Sequence, residues 1–138
     1  MKLMLTVLFA SSSALASLST LQGEYIKTSG TPGYCVEQIS IRHDATASTI
    51  TLYERGEDHP SLVFPSINRG RVRWEHDWTD GVTRGTQINT YDGRGQLTHK
   101  AYIYRVLLKR TITLKLSGND LTKTWEADNT TTCNYRKI

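Results

Sequence analysis

The sequence predicts an all-β fold, an antiparallel up-and-down β-barrel of about 8–10 strands, with a two-sheet β-sandwich as the alternative. Three observations predict it. Short segments alternate apolar and polar residues with a period of two. Turn-forming clusters separate them at short intervals, which makes consecutive strands antiparallel neighbours. Two cysteines, Cys35 and Cys133, sit far apart in the chain and ask for its early and late parts to meet.

Residues 1–16 read as a signal peptide. Lys2 supplies the positive start, Leu3 to Phe9 form an apolar run, and Ala14-Leu15-Ala16 fits a small-x-small cleavage site. That run is too short to cross a bilayer, which takes roughly 20 apolar residues, and no later stretch supports membrane insertion. The residue directly after Ala16 is Ser17 and not a cysteine, which argues against a lipid anchor. Residues 17–138 then form a single barrel domain, large enough for one core. The reading implies a secreted or periplasmic protein.

Gly23 to Lys27 begins the first strand, and Ser29 to Gly33 is dense in turn residues. Tyr34 to Arg42 is the second strand. His43 to Ser48 makes a loop, and Thr49 to Glu54 alternates with Ile50 and Leu52 on one face. Arg55 to Pro60 is a polar loop. Ser61 to Ile67 is a short strand whose Pro65 suggests an edge or a bulge. Asn68-Arg69-Gly70 turns into Arg71 to Thr79, and Asp80-Gly81 is a strong hairpin signal. Val82 to Tyr91 runs back. Asp92 to Gly95 turns again, and Gln96 to Leu108 is a long strand, its tyrosines and branched residues favouring β over helix. Thr111 to Ser117 places Ile112, Leu114 and Leu116 inward. Gly118 to Asp120 turns, Leu121 to Asp128 carries Trp125 on the side of Leu121, and Thr132 to Ile138 ends the chain.

The formal charge is +4, falling by one without Lys2, and its cations are scattered singly or in pairs. A nucleic-acid partner would show a denser basic stripe. In an oxidising compartment the two cysteines form one disulfide. It closes a loop of nearly a hundred residues, worth roughly 4–5 kcal/mol in the chain-entropy model. It also predicts that the second and last strands lie close together.

The opening of the mature chain, Leu21-Gln22-Gly23-Glu24-Tyr25, resembles the first strand of the calycin superfamily, which includes lipocalins, avidins and fatty-acid-binding proteins. That family packs a Gly-x-Trp strand beneath an arginine from the last strand. Gly23 matches the glycine, Tyr25 stands in place of the tryptophan, and Arg136 is the candidate arginine. A guanidinium stacks on an aromatic face and donates to carbonyls at a barrel end. The short link after the first strand is more similar to avidin than to lipocalins. The resemblance implies a barrel; a fold does not by itself supply a function.

Function turns on Arg71 to Gly81. Val72, Trp74, His76 and Trp78 fall on one side of the strand; Arg71, Arg73, Glu75 and Asp77 fall on the other. With the charges outward, two indoles flank an imidazole inside the barrel. Trp74, His76 and Trp78, joined by Tyr25, Trp125 and one of Tyr102 or Tyr104, make a flat-walled ligand pocket or an ordinary aromatic core with His76 near its mouth. The next strand is polar on both faces, with Gly85, Gln87 and Asn89 on one and Arg84, Thr86 and Thr90 on the other. Whichever set points inward favours a hydrated cavity over a dry one.

Nothing indicates an enzyme. No serine sits in a nucleophile elbow, no glycine-rich phosphate loop precedes a helix, and no cofactor motif occurs. Glu57-Asp58-His59 and His43-Asp44 are loop clusters without enough further ligands to hold a metal. Asn129-Thr130-Thr131 is a glycosylation sequon in a eukaryotic secretory pathway. The sequence therefore reads as an exported, non-catalytic binding protein that holds a small ligand in the barrel mouth. The alternative is an extracellular protein-interaction module, such as an enzyme inhibitor, acting through the loops at 43–48 and 55–60.

Overall fold

In the computed structural model the described residues are 19–44, 49–54, 61–64 and 73–138. They form ten antiparallel strands: β1 (Gly23–Gly30), β2 (Gln38–Asp44), β3 (Thr49–Glu54), β4 (Leu62–Phe64), β5 (Arg73–Thr79), β6 (Arg84–Tyr91), β7 (Gln96–Ile103), β8 (Leu107–Ser117), β9 (Asp120–Glu126) and β10 (Thr130–Lys137). All ten belong to one sheet, in the order β4-β3-β2-β1-β10-β9-β8-β7-β6-β5. This is an up-and-down β-barrel, and it replaces the two-sheet alternative. Pairing of β1 with β10 joins the early and late parts of the chain. Among the described residues β4 and β5 end the ladder, so the seam lies there and not between the first and last strands.

The turns follow the sequence signals. Asp80 Oδ1 accepts from the amides of Val82 (2.8 Å) and Thr83 (2.6 Å), holding the β5–β6 turn. Asp92 Oδ1 does the same for Arg94 (2.7 Å) and Gln96 (3.0 Å) between β6 and β7.

Two expectations are corrected. The break between the seventh and eighth strands falls at residues 104–106, not at Lys109-Arg110. Tyr104 and Arg105 form this turn with φ of 51° and 62°, and Val106 N donates to Ile103 O at 3.3 Å. A two-residue turn with both centres left-handed matches the twist of a hairpin but normally takes Asn or Gly. The second strand begins at Gln38 and not at Tyr34, because Tyr34 N turns back to Thr31 O (3.2 Å) and Cys35 is tied to β10.

The Cys35–Cys133 disulfide is present, with Cα atoms 5.7 Å apart. It does not make the second and last strands neighbours, since β1 lies between β2 and β10. Gly30 opposes Cys133 in the ladder, and a Cβ there would lie 2.5 Å from Cys35 Sγ. The glycine leaves the space that the sulfur fills.

One end of the barrel carries the turns at 80–83, 104–106 and 127–129; the other carries those at 92–95 and 118–119. Toward the latter the interior is filled by Leu21, Tyr25, Ile41, Leu52, Leu97, Leu114, Leu121 and Tyr135, all buried. Each fully buried aliphatic side chain contributes about 1.5–3 kcal/mol. Tyr25 is part of this plug. Its hydroxyl donates to Leu21 O at 2.6 Å, and burial pushes its pKa up to about 12. The cation over its ring is the Lys137 ammonium, 5.9 Å from the centroid, and not Arg136. Strand parity explains the exchange: Lys137 opposes Tyr25, so Arg136 points outward, where it pairs with Asp120 at 3.3 Å.

Candidate functional site

Register sets residues of β5 to β9 in rows across the sheet. One row holds Trp78, Gly85, Ile103 and Leu107; the next holds His76, Gln87, Ala101 and Arg110; the third holds Trp74, Asn89, His99, Ile112 and Trp125. The row beyond is apolar where Tyr91, Leu97 and Leu114 align. Moving from the filled end to the turn-bearing end, the interior therefore changes from aliphatic to polar and aromatic.

The polar rows are wholly or partly buried and incompletely paired. Asn89 and His99 have no exposed surface, and His99 Nδ1 lies 2.9 Å from Asn89 Oδ1. With that ring nitrogen as donor, the Asn89 amide group points its Nδ2 hydrogens elsewhere. Asn89 Nδ2, Gln87 Oε1 and Arg110 Nε are buried without a hydrogen-bond partner among the described residues. Unpaired buried polar atoms cost about 1–3 kcal/mol each unless water or a ligand meets them. Desolvation lowers the His99 pKa to about 4, with the charge of Arg110 adding to the effect, so the imidazole is neutral at pH 7. Arg110 forms no ion pair among the described residues. Its guanidinium lies 5.5 Å over the Trp125 ring, a contact that orients it without neutralising it.

Two pockets open beside this stack. One, about 290 Å³, is lined by Trp78, Gln87, Ala101, Ile103 and Arg110 among others. The second, about 420 Å³, is lined by Tyr34, Glu54, Lys123, Trp125, Thr131 and others. Arg110 lines the first and Trp125 the second, so their stack forms a shared wall. Lys123 Nζ sits 3.9 Å from Glu54 Oε1, and burial holds its amine below the usual lysine range although the carboxylate pulls the other way. Trp78 packs on Gly85 so closely that a Cβ at that glycine would lie 2.0 Å from the indole.

The sequence-selected residues divide accordingly. Trp78 lines the first pocket and Trp125 the second. His76 pairs with Gln87 on the same inward face and is half-buried. The Trp74 backbone pairs with Asn89, while its side chain lies outside the described residues. Tyr25 belongs to the plug, away from both pockets. Tyr102 contributes to the first pocket, whereas Tyr104 projects from the hairpin tip. Gln87 and Asn89, noted as one polar face of β6, prove to be its inward face. His99 and Arg110 escaped notice. His99 alternates with Leu97 and Ala101, which was the available signal, and Arg110 was hidden by the misplaced break.

His43 and Asp44 border a separate polar depression near Gln22. Glu57-Asp58-His59, the loop at 55–60, residues 45–48 and residues 1–16 lie outside the described residues. Among the described residues no group of three or more His, Cys, Asp or Glu is placed to hold a metal, and no helix is long and apolar enough to cross a membrane.

No family model and no curated protein matches the chain. Solved structures do. The crystal structure of secretory abundant heat soluble protein 4 from Ramazzottius varieornatus is 18% identical with a TM-score of 0.52, covering 87% of this chain and 96% of that one. The REP1-NXSQ fatty acid transporter is 13% identical with a TM-score of 0.54, covering 87% of this chain and 97% of that one. At these identities the likeness is one of fold.

Proposed function

We propose that this chain is an exported, non-catalytic binding protein that holds a small amphiphilic acid at the turn-bearing end of its barrel, in the manner of calycin barrels. One observation carries the reading: Arg110, without an ion pair among the described residues and stacked on Trp125, lines an interior pocket with Trp78 and Gln87, and Asn89 Nδ2 is buried without a partner in the neighbouring row. The unmet donors of Arg110 and Asn89 suit a carboxylate or a similar anion, with its apolar body against Trp78 and Trp125, while the unmet Gln87 Oε1 is an acceptor and takes a donor such as water. A fold shared with a fatty acid transporter supports this class of ligand. The Cys35–Cys133 disulfide supports an oxidising compartment, as does the likeness to a secretory protein. The aliphatic plug limits the cavity to a small ligand.

The test is a matched pair. Tryptophan emission is followed as decanoic acid or decanol is added to the purified protein. Quenching by the acid at concentrations roughly tenfold lower than by the alcohol supports an anion site. Equal response to both, or none, contradicts it.

A further inference from the structure

Six large apolar side chains are exposed on two adjacent hairpins at the turn-bearing end. They are Trp78 (37%), Val82 (86%), Tyr104 (60%), Val106 (85%), Leu107 (51%) and Leu108 (47%). β6 pairs with β7, and Tyr104 N donates to Arg84 O at 3.0 Å, so the tips at 80–83 and 104–106 lie side by side. Isolated exposed apolar residues need no explanation; a contiguous set at one rim does.

The shape of the set decides what it fits. Val82 stands at the apex of one tight turn and Val106 closes the other, and both are almost fully exposed, which suits insertion into a soft layer. Cations ring them. Arg84 and Lys109 are exposed and make no ion pair among the described residues. Of the nearby anions, Glu75 pairs with Arg73 at 3.0 Å and with Arg105 at 3.6 Å, and Asp77 pairs with Arg105 at 2.9 Å; Asp80 accepts from the backbone amides of its turn and keeps its charge, so among the described residues here the two unpaired cations outnumber the one unpaired anion. The 104–106 turn is also strained, since left-handed conformations at Tyr104 and Arg105 cost roughly 1–2 kcal/mol each. Asn-Gly would form it without that cost. The strained choice sets an amphipathic tyrosine at the tip, a residue type suited to a lipid–water boundary. Trp78, Ile103 and Lys109 line the 290 Å³ pocket as well, so the pocket mouth adjoins the apolar tips.

We infer that the hairpin tips bearing Val82, Tyr104 and Val106, with Arg84 and Lys109 beside them, form a peripheral docking surface for an anionic lipid membrane. Apolar knobs enter the headgroup boundary while the cations meet lipid phosphates and carboxylates. The contact is shallow and reversible, and it is independent of what the pocket holds.

The test is flotation of the purified protein with vesicles of phosphatidylcholine alone or with three-tenths phosphatidylserine. The expected result is recovery with the anionic vesicles, weakened roughly tenfold by their omission or by high salt. V82D/V106D and Arg84→Glu each lower it by at least about tenfold with thermal transitions and acid binding unchanged. Tyr104→Asn with Arg105→Gly provides a second control: it relieves the turn, so the protein is at least as stable, yet it floats less. No recovery with anionic vesicles, or recovery equal to wild type in V82D/V106D, overturns the inference. So does a dimer in sedimentation equilibrium that V82D/V106D dissolves, which would assign the tips to a second copy of the chain.

Discussion

The Arg110 guanidinium carbon lies 5.5 Å from the centre of the Trp125 ring, at the boundary between the two interior pockets. A cation held over an indole, with its Nε buried and without a partner among the described residues, is available to an acceptor from a ligand. Arg110→Met keeps much of the side-chain volume and removes the charge. It should lower affinity for an acidic ligand by about 10–100-fold, the worth of a charge-assisted hydrogen bond, and leave affinity for the matching alcohol within about twofold. Fluorescence titration of both ligands checks this.

Gly85 controls where Trp78 lies. Gly85→Val places a Cβ 2.0 Å from the indole, and the ring has to leave. Tryptophan emission should shift to the red and stability should fall by about 1–3 kcal/mol, measured by urea unfolding. Gly81→Ala serves as the comparison, since a Cβ there meets nothing within 4 Å; its cost comes from a left-handed φ of 91° alone.

His99 makes stability depend on pH in a defined window. Its pKa is lowered to about 4 in the fold from the ordinary 6.5 of a histidine, so above the upper figure both states are neutral and its contribution is level. As pH falls between the two, only the unfolded chain takes up the proton, and stability drops by at most ~1.4 kcal/mol per pH unit. His99→Gln, which keeps a donor near Asn89, should flatten the dependence between pH 6.5 and 4. Urea midpoints across this range decide the point.

Removal of the disulfide frees the unfolded chain. Cys35→Ser with Cys133→Ser should lose roughly 4–5 kcal/mol, the entropy of a loop spanning most of the domain. Because the bond ties the segment before β2 to β10, beside the 420 Å³ pocket that Cys133 lines, the variant should also bind ligand more weakly. Thermal unfolding with and without a reducing agent measures the first effect.

Much of the barrel was legible because period-two alternation reports burial directly. Ile112 and Leu114 were read as inward and have no exposed surface. Hairpins anchored by Asp80 and Asp92 were legible because an Asx side chain fixes its own turn. The Tyr104-Arg105 turn was not, since neither residue favours a left-handed backbone and the tertiary ladder imposes it. That error shifted the break by several residues and concealed Arg110, which a bulge between Ala101 and Tyr102 returns to the interior. Tyr25 was drawn into the site by its ring alone, and only the stagger of the strands shows that it faces the plug.

Anion binding at Arg110 is the property on which the proposed function depends. Native mass spectrometry of the protein purified without detergent, and again after delipidation and addition of decanoic acid, measures this directly. A one-to-one complex with the acid, lost in Arg110→Met but kept in V82D/V106D, is the predicted result. An uncomplexed protein in every spectrum, or equal retention by Arg110→Met, would contradict it.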